Sequence, residues 1–139
     1  MTDTTKNDSL RDLGILLIRL ILAAIFLYHG SQKLFGIFGG YGISGTAGFF
    51  EKLGMPLPYV SALLAGLAEF LGGVSLLTGL FLRWAMIPLS FTMFVAAFSA
   101  HSGFSGPGGM EFPLSLAFTA AGLGLIGAGR FALQLPKRR

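Results

Sequence analysis

Hydrophobic residues gather in four long segments that are separated by short polar or glycine-rich stretches. The segments are Leu13–Phe35, Val60–Phe81, Trp84–Ala100 and Phe112–Ala128. At about 1.5 Å of rise per residue, the first two would form helices roughly 30–35 Å long, which is enough to cross a bilayer. The last two have 17 residues each, close to the lower limit of about 17 for a spanning helix. The pattern predicts an all-α membrane protein, a four-helix transmembrane bundle with up-down topology.

A fifth, shorter helix is predicted in the connection between the first two segments. Thr46–Leu53 has an amphipathic pattern that places Phe49, Phe50 and Leu53 on one side, and Gly54 follows as a helix terminator. A short helix of this kind suits the membrane interface, where its apolar side enters the lipid, or forms a cap over the bundle. We expect it to be an interfacial helix in the first outer loop.

The polar ends of the chain and its basic residues predict an orientation. Residues 1–12 are polar and are expected to form a disordered tail, residues 13–134 the transmembrane domain, and residues 135–139 a basic tail. With four spans, seven Lys and Arg residues fall on the side of the termini and two on the other side. Because basic residues favour the cytoplasmic side, both termini are predicted to be cytoplasmic in a multi-pass plasma-membrane protein.

The composition supports a membrane protein and excludes several kinds of chemistry. Hydrophobic residues make up 53% of the chain and charged residues 12%, against about 25% charged in soluble domains. The net charge is +4, but the basic residues lie beside helix ends, so no nucleic-acid partner is predicted. The chain has no cysteine, which excludes disulfides, dithiol redox chemistry and thiolate metal sites within it.

One face of the first helix is polar for a transmembrane segment. Residues at alternating four- and three-residue spacing form this face: Ile15, Arg19, Leu22, Phe26, His29 and Lys33. At 100° per residue, Arg19, His29 and Lys33 fall within about 80° of arc. Ionisable groups inside a membrane are costly unless they are paired or hydrated. This face is therefore expected to be directed toward the interior of the bundle.

Glu69 is the acidic residue of the second apolar segment. It lies on a stripe of small residues, which consists of Ala62, Gly66, Glu69 and Gly73. Because small residues let transmembrane helices approach closely, Glu69 is predicted to face protein. Counting inward from the outer surface places Arg19 roughly 9 Å deeper than Glu69 and His29 roughly 6 Å shallower. We predict a buried Arg19–Glu69 pair, which either takes part in chemistry or only fixes the helix register.

The remaining ionisable residues define the candidate site. His29, Lys33 and His101 are predicted to line a pocket that opens toward the outer leaflet, with Glu111 at its edge. Glu111 also precedes the predicted fourth span, where the positive end of the helix favours an acidic residue, so a capping role is the simpler interpretation. Lys33, His101 and Glu111 are the candidate ligand-binding residues.

Glu69, Arg19 and His29 are the candidate catalytic residues. The two histidines with Glu69 and Glu111 could also bind a metal. No two of these four residues are close in sequence and no metal-binding motif is present, so no metal site is predicted.

The order of several short motifs resembles the DoxX family of small membrane proteins. The motifs are Arg19, His29-Gly30-x-Gln32-Lys33, Gly45-x-Ala47-x-Phe49-Phe50-x-x-Leu53-Gly54-x-Pro56, Ala65-Gly66-x-x-Glu69-x-x-Gly72-Gly73, Gly79-x-x-x-Arg83 and Gly108-Gly109-x-Glu111. The resemblance covers about residues 13–133. It implies a four-helix integral membrane protein with links to membrane redox processes, including thiosulfate:quinone oxidoreduction and oxidative-stress complexes.

Three functional hypotheses follow from the residues and the resemblance. The leading one is a subunit associated with quinone-linked redox chemistry. Because it has no cysteine, the chain would need a quinone, a bound cofactor or a redox partner protein to move electrons. The second is a small proton-coupled carrier or channel that uses Glu69. The third is a non-catalytic scaffold or assembly factor. All three place the protein in the lipid bilayer and are compatible with a homo-oligomer.

Overall fold

The computed structural model describes residues 2–133, with side chains from residue 5, and over that range it contains five helices and no strand. In chain order they are α1 (Thr2–Phe35), α2 (Gly42–Lys52), α3 (Pro58–Thr78), α4 (Leu82–Ser99) and α5 (Glu111–Ile126). Each of the four predicted apolar segments coincides with a long helix, so the all-α prediction is confirmed. The predicted basic tail, residues 135–139, lies outside the described residues.

The prediction of a disordered N-terminal tail is wrong for residues 2–12, which form the first turns of α1. This part of the helix packs against the segment that follows α5. Arg130 Nη1 donates to Ser9 Oγ at 3.3 Å. Asp12 is buried beside Gly129, where a Cβ would lie 3.1 Å from Asp12 Oδ1. These tertiary contacts hold the polar first turns of α1 in place. The polar composition of those turns by itself gives no sign that they pack against another part of the chain.

The short helix predicted in the first outer loop is present as α2. It begins four residues earlier than predicted and ends one residue earlier. Its side chains Thr46 and Ala47 are buried, while Phe49 is 48% exposed. The helix packs against α3 and the end of α1, so it covers one end of the molecule.

Helices α1 and α3 pack closely and run in opposite directions. A Cβ on Gly30 would lie 2.6 Å from the backbone nitrogen of Phe70, and a Cβ on Gly73 would lie 2.9 Å from that of Leu27. Residue numbers therefore fall along α3 as they rise along α1. The glycines permit this approach because any larger residue would place atoms inside the neighbouring backbone.

Helices α4 and α5 form a second antiparallel pair. Ser90 Oγ donates to the carbonyl oxygen of Ala117 at 2.8 Å, and Gly124 lies beside Met86. The link between α3 and α4 is short. It contains Gly79 and Phe81 in the left-handed region, with φ of 80° and 51°, so the chain reverses direction between the two helices.

The hydrophobic core occupies only one half of the molecule. Its buried residues come from the middle of α1, the end of α3, the first part of α4 and the second half of α5: Ile15, Leu22, Ala23, Phe26, Leu76, Leu82, Met86, Leu89, Met93, Leu116, Ala117, Ala120 and Leu123. Beyond Phe26, α1 and α3 still pack closely at Gly30, but the space beside them is open.

Two of the helices have the length and hydropathy of membrane spans. Within the described residues these are α3 and α4, and α5 is a shorter apolar helix. Only 39% and 33% of the apolar windows of α3 and α4 are buried inside the protein. Most of their apolar surface is therefore directed outward, which suits a lipid surrounding.

Candidate functional site

A cavity of about 560 Å³ lies in the half of the molecule that the core leaves unfilled. All five helices contribute to its walls, and most of the wall residues are aliphatic or aromatic. Phe26 separates it from the core, Phe49 and Phe50 cover it from α2, and Phe112 contributes from α5. The polar side chains around it include His29, Lys33, Glu69 and His101, joined by Ser61, Thr92 and Ser99. An apolar cavity with a few polar groups is the usual form of a small-molecule site.

Lys33 and Glu69 form an ion pair in the wall of this cavity. Lys33 Nζ lies 2.8 Å from Glu69 Oε2, and the side chains are 25% and 2% exposed. The prediction that Glu69 faces protein is confirmed, since it is buried between α3 and α1. Lys33 supplies the cation that a nearly dehydrated carboxylate requires. Its ammonium has three donors, so the bond to Glu69 leaves others available to a ligand.

If the rings of His29 and His101 are neutral, their hydrogen bonds select the same tautomer in both. Gln32 Nε2 donates to the carbonyl oxygen of Phe38 at 3.0 Å, which turns Gln32 Oε1 toward His29 Nδ1 at 3.1 Å. His101 Nδ1 lies 2.8 Å from the carbonyl oxygen of Ala96. Since both partners are oxygens that only accept, each Nδ1 carries the hydrogen. Each Nε2 is then a hydrogen-bond acceptor on a ring that lines the cavity.

The predicted Arg19–Glu69 pair is wrong. Arg19 is fully buried in the packed half of the molecule, outside the cavity lining. Its guanidinium donates to the carbonyl oxygens of Leu76 at 2.8 Å and Leu77 at 3.2 Å, and to those of Ala128 at 2.8 Å and Phe131 at 3.3 Å. Leu76 and Leu77 belong to the last turn of α3, whose carbonyls have no partner within the helix and carry the negative end of the helix dipole. Arg19 therefore caps α3 and ties it to the segment after α5.

The error lies in the assumption that α1 and α3 end at one level. The depth estimate placed Arg19 roughly 9 Å below Glu69, and Leu76 is seven residues, or about 10 Å, beyond Glu69 along α3. Because Gly30 faces Phe70 and Leu27 faces Gly73, the backbone of Arg19 lies deeper than this estimate, beyond the level of Leu76. The acceptors that its long side chain reaches there are the backbone carbonyls at the end of α3. At the other end, Gly66 packs beside Lys33. The end of α1 thus lies beside a point on α3 that is about seven residues inward from Tyr59. Helix α2 occupies the level between that point and Tyr59. This arrangement brings Lys33 near Glu69.

Glu111 lies beside the cavity but does not line it. It is in the first turn of α5, where the positive end of the helix dipole favours a carboxylate. Its neighbours Phe112 and Pro113 contribute to the wall instead. Among residues 5–133, whose side chains the structure describes, no three His, Asp or Glu side chains come together as a metal-binding group, so the arrangement gives no support to the metal alternative.

Sequence reasoning thus found four polar residues of the cavity and missed its aromatic cover. His29, Lys33, Glu69 and His101 were predicted to share a pocket and do so. The contributions of Phe49 and of the end of α4 were not predicted, because they depend on how α2 and the two helix pairs are placed. The one available signal was the amphipathic pattern of Thr46–Leu53, which allowed a cap over the bundle.

Comparison with known proteins agrees with the resemblance noted in the sequence. The DoxX family model matches residues 14–102. The protein named Putative oxidoreductase CatD of Bacillus subtilis (strain 168) is 31% identical over 125 residues, which cover 88% of this chain and 86% of that protein. Inner membrane protein YqjF of Escherichia coli (strain K12) is 30% identical over 132 residues, covering 90% of this chain and 92% of that protein.

A further relative is Inner membrane protein YphA of Escherichia coli (strain K12), 25% identical over 134 residues, with 92% of this chain and 91% of that protein covered. No solved structure matches the chain. The family model spans more than half of the chain, and relatives at 30% and 31% identity cover nearly all of it. The chain belongs to the DoxX family of membrane proteins.

Proposed function

We propose that this protein is a four-helix integral membrane subunit that binds a quinone in the apolar cavity and takes part in quinone-linked redox chemistry. The observation that carries the proposal is the cavity itself, with the Lys33–Glu69 ion pair and two histidine acceptors in an otherwise apolar wall. The relative named Putative oxidoreductase CatD is consistent with a redox role.

The exposed side chains support a bundle in which α1, α3, α4 and α5 all cross the membrane. Each helix directs large apolar residues outward, among them Ile21 at 60%, Leu71 at 57%, Ile87 at 62% and Leu125 at 81% exposure. In water, an apolar surface this extensive would drive association. In lipid it is the ordinary surface of a spanning helix.

A quinone matches the chemistry of the cavity wall. Its ring is flat and apolar and fits between aromatic and aliphatic side chains, while its two carbonyl oxygens accept hydrogen bonds. Lys33 would donate to one carbonyl oxygen, and an Nε2 of His29 or His101 would accept the hydroxyl hydrogen of the quinol. Reduction of a quinone to a quinol consumes two electrons and two protons, and histidine exchanges protons near neutral pH.

In this proposal the electrons come from a partner protein. The chain contains no cysteine, so it has no dithiol or thiolate-bound cluster of its own to supply them. The role proposed here is therefore that of a membrane subunit, which holds the quinone and exchanges its protons while an associated redox protein provides the electrons.

The test is binding of a ubiquinone analogue to the full-length protein in a neutral detergent, followed by thermal unfolding. We expect the analogue to raise Tm, because a ligand that binds only the folded state stabilises it by mass action. Glu69→Gln should weaken binding about tenfold, since it releases Lys33 from its place at the cavity and removes a charged hydrogen bond of about 1.5 kcal/mol or more. Ala68→Phe, which fills the cavity, should abolish binding.

The control is Ala24→Phe, an equal change on an exposed alanine of α1 that does not line the cavity. It should bind the analogue like the unaltered protein. A Tm that no quinone changes in the unaltered protein, or an equal response in Ala68→Phe and Ala24→Phe, would contradict the proposal. Proton flux into liposomes that Glu69→Gln abolishes, without quinone binding, would favour the carrier hypothesis instead.

A further inference from the structure

A second cavity, of about 650 Å³, lies between α2 and the end of α1 and is distinct in character from the first. The glycine-rich link before α2 forms part of its wall, which leaves backbone groups accessible. Gln32, Tyr41 and Thr46 contribute polar side chains. The wall of this second cavity is thus more polar than that of the first cavity.

The charged side chains that line this second cavity are both basic. They are Lys33 and Lys52, and within the described residues no acidic side chain lines it. Glu69 compensates Lys33 from the far side, in the first cavity. Lys52 has no ion pair in the part of the chain that the structure describes. Lys52 is therefore the cation of this wall that remains to attract an anion.

Two exposed tyrosines at this end of the molecule suit a membrane interface. Tyr41 is 82% exposed and Tyr59 is 56% exposed. Tyrosine is enriched at membrane–water interfaces, where its apolar ring and its hydroxyl are both accommodated. In the proposed bundle, the second cavity would therefore lie at the level of the phospholipid phosphates.

The two cavities share part of their walls. Lys33, Phe49 and Phe50 line both. A ligand in the second cavity would therefore meet basic and polar groups on one side and phenyl rings on the other. This combination suits an amphiphile with an anionic head and an apolar chain, rather than a purely hydrophilic ion.

We infer that the second cavity binds the phosphate headgroup of an anionic phospholipid, with Lys52 as its cationic ligand and the Phe49–Phe50 surface against its acyl chains. The site does not depend on the quinone proposal, since Lys52 and Gly48 line only the second cavity.

The experiment compares lipids that differ only in the headgroup. Full-length protein in neutral detergent is titrated with dioleoyl phosphatidylglycerol, dioleoyl phosphatidylcholine or inorganic phosphate, and Tm and bound lipid by native mass spectrometry are measured. We expect phosphatidylglycerol to raise Tm and to remain bound, and phosphatidylcholine to do so more weakly. Lys52→Gln should weaken phosphatidylglycerol binding about fivefold, because one lysine near an anionic surface contributes about 1 kcal/mol.

A second variant fills the cavity without removing charge. A Cβ on Gly48 meets nothing within 4 Å, so Gly48→Leu should fold, occupy the cavity and abolish the phosphatidylglycerol effect. The matched controls are Lys6→Gln, on an exposed lysine of α1, and Gly122→Leu, at an equally open glycine of α5; both should respond like the unaltered protein.

Three results would overturn the inference. They are equal responses to phosphatidylglycerol and phosphatidylcholine, an unchanged response in Gly48→Leu, and full reproduction of the effect by inorganic phosphate, which would assign the site to soluble anions. Loss of quinone binding with retention of the lipid response would refute the proposed function and leave this site standing.

Discussion

Arg19 shows how a single buried charge can be satisfied without a carboxylate. The guanidinium presents five N–H donors in a rigid fork, and here it reaches four backbone carbonyl oxygens from two parts of the chain. The partial negative charge at the end of α3 compensates the cation. A residue that resembles a catalytic candidate in the sequence is therefore a structural cap in the fold.

Replacement of Arg19 should destabilise the protein more than loss of any exposed arginine. Arg19→Met leaves buried carbonyls without donors, and we expect the free energy of unfolding to fall by about 3 kcal/mol or more. The free energy of unfolding of Arg19→Lys should lie between those of this variant and the unaltered protein, because a lysine cannot reproduce the forked donors of the guanidinium. Thermal or denaturant unfolding in one detergent measures the difference.

Arg11→Gln is the control, because Arg11 lies on the same helix, is 67% exposed and makes only 3.8 Å ion pairs. We expect a change of at most about 1 kcal/mol, as for exposed ion pairs in general. Equal stability of Arg19→Met and Arg11→Gln would show that the capping contacts contribute little.

At the scale of elements, the close approach of α1 and α3 decides which side chains meet. This close approach sets the register of the two helices. Lys33 then lies beside Gly66, which is one turn of α3 away from Glu69. Without it, the two charged residues would be unpaired in an apolar surrounding, at a cost of several kcal/mol. The small-residue stripe is therefore part of the site as well as of the packing.

Two glycines of α1 provide a matched test of this approach. Gly30→Ala would place a Cβ 2.6 Å from the backbone of Phe70, so the helices must separate, and we expect a loss of about 1–3 kcal/mol. Gly14→Ala meets nothing within 4 Å and should stabilise the helix, by up to about 1 kcal/mol. The free energy of unfolding should thus fall in Gly30→Ala and rise in Gly14→Ala, although the substitution is the same. A change in the same direction in both variants would contradict the packing argument.

At the scale of the whole molecule, a packed half and a hollow half are stacked along the helix axes. The core and the Arg19 cap hold one end together, while the α1–α3 and α4–α5 pairs enclose the cavity at the other end, under α2. Such a division gives a rigid base and an accessible site in one short chain.

The orientation in the membrane can be tested by cysteine labelling, since the chain has no cysteine of its own. Ser44→Cys and Ser105→Cys lie at the α2 end, and Lys6→Cys lies near the start of α1; all three positions are exposed. With both termini in the cytoplasm, an impermeant maleimide should label the first two in right-side-out vesicles and label Lys6→Cys only after the vesicles are opened.

The unaltered protein is the blank in that experiment. Labelling of Lys6→Cys alone in sealed vesicles would reverse the orientation. Labelling of all three before opening would contradict an up-down bundle.

The sequence by itself determined the elements, because a run of apolar residues long enough to span a bilayer has few alternatives to a helix. It also determined that Glu69 and the polar face of α1 are directed inward, since the lipid excludes charge. Glu69 on the stripe of small residues and Lys33 on the polar face were both recognisable in this way. The family was recognisable from its spaced motifs.

Only the tertiary structure decided which charges meet. Lys33, and not Arg19, pairs with Glu69, because α2 displaces the end of α1 inward by about seven residues, and a helical pattern contains no information on the relative levels of two helices. The ordered start of α1 and the second cavity likewise depend on contacts between residues distant in the chain. Periodicity fixes which face of a helix is buried, while packing fixes what that face meets.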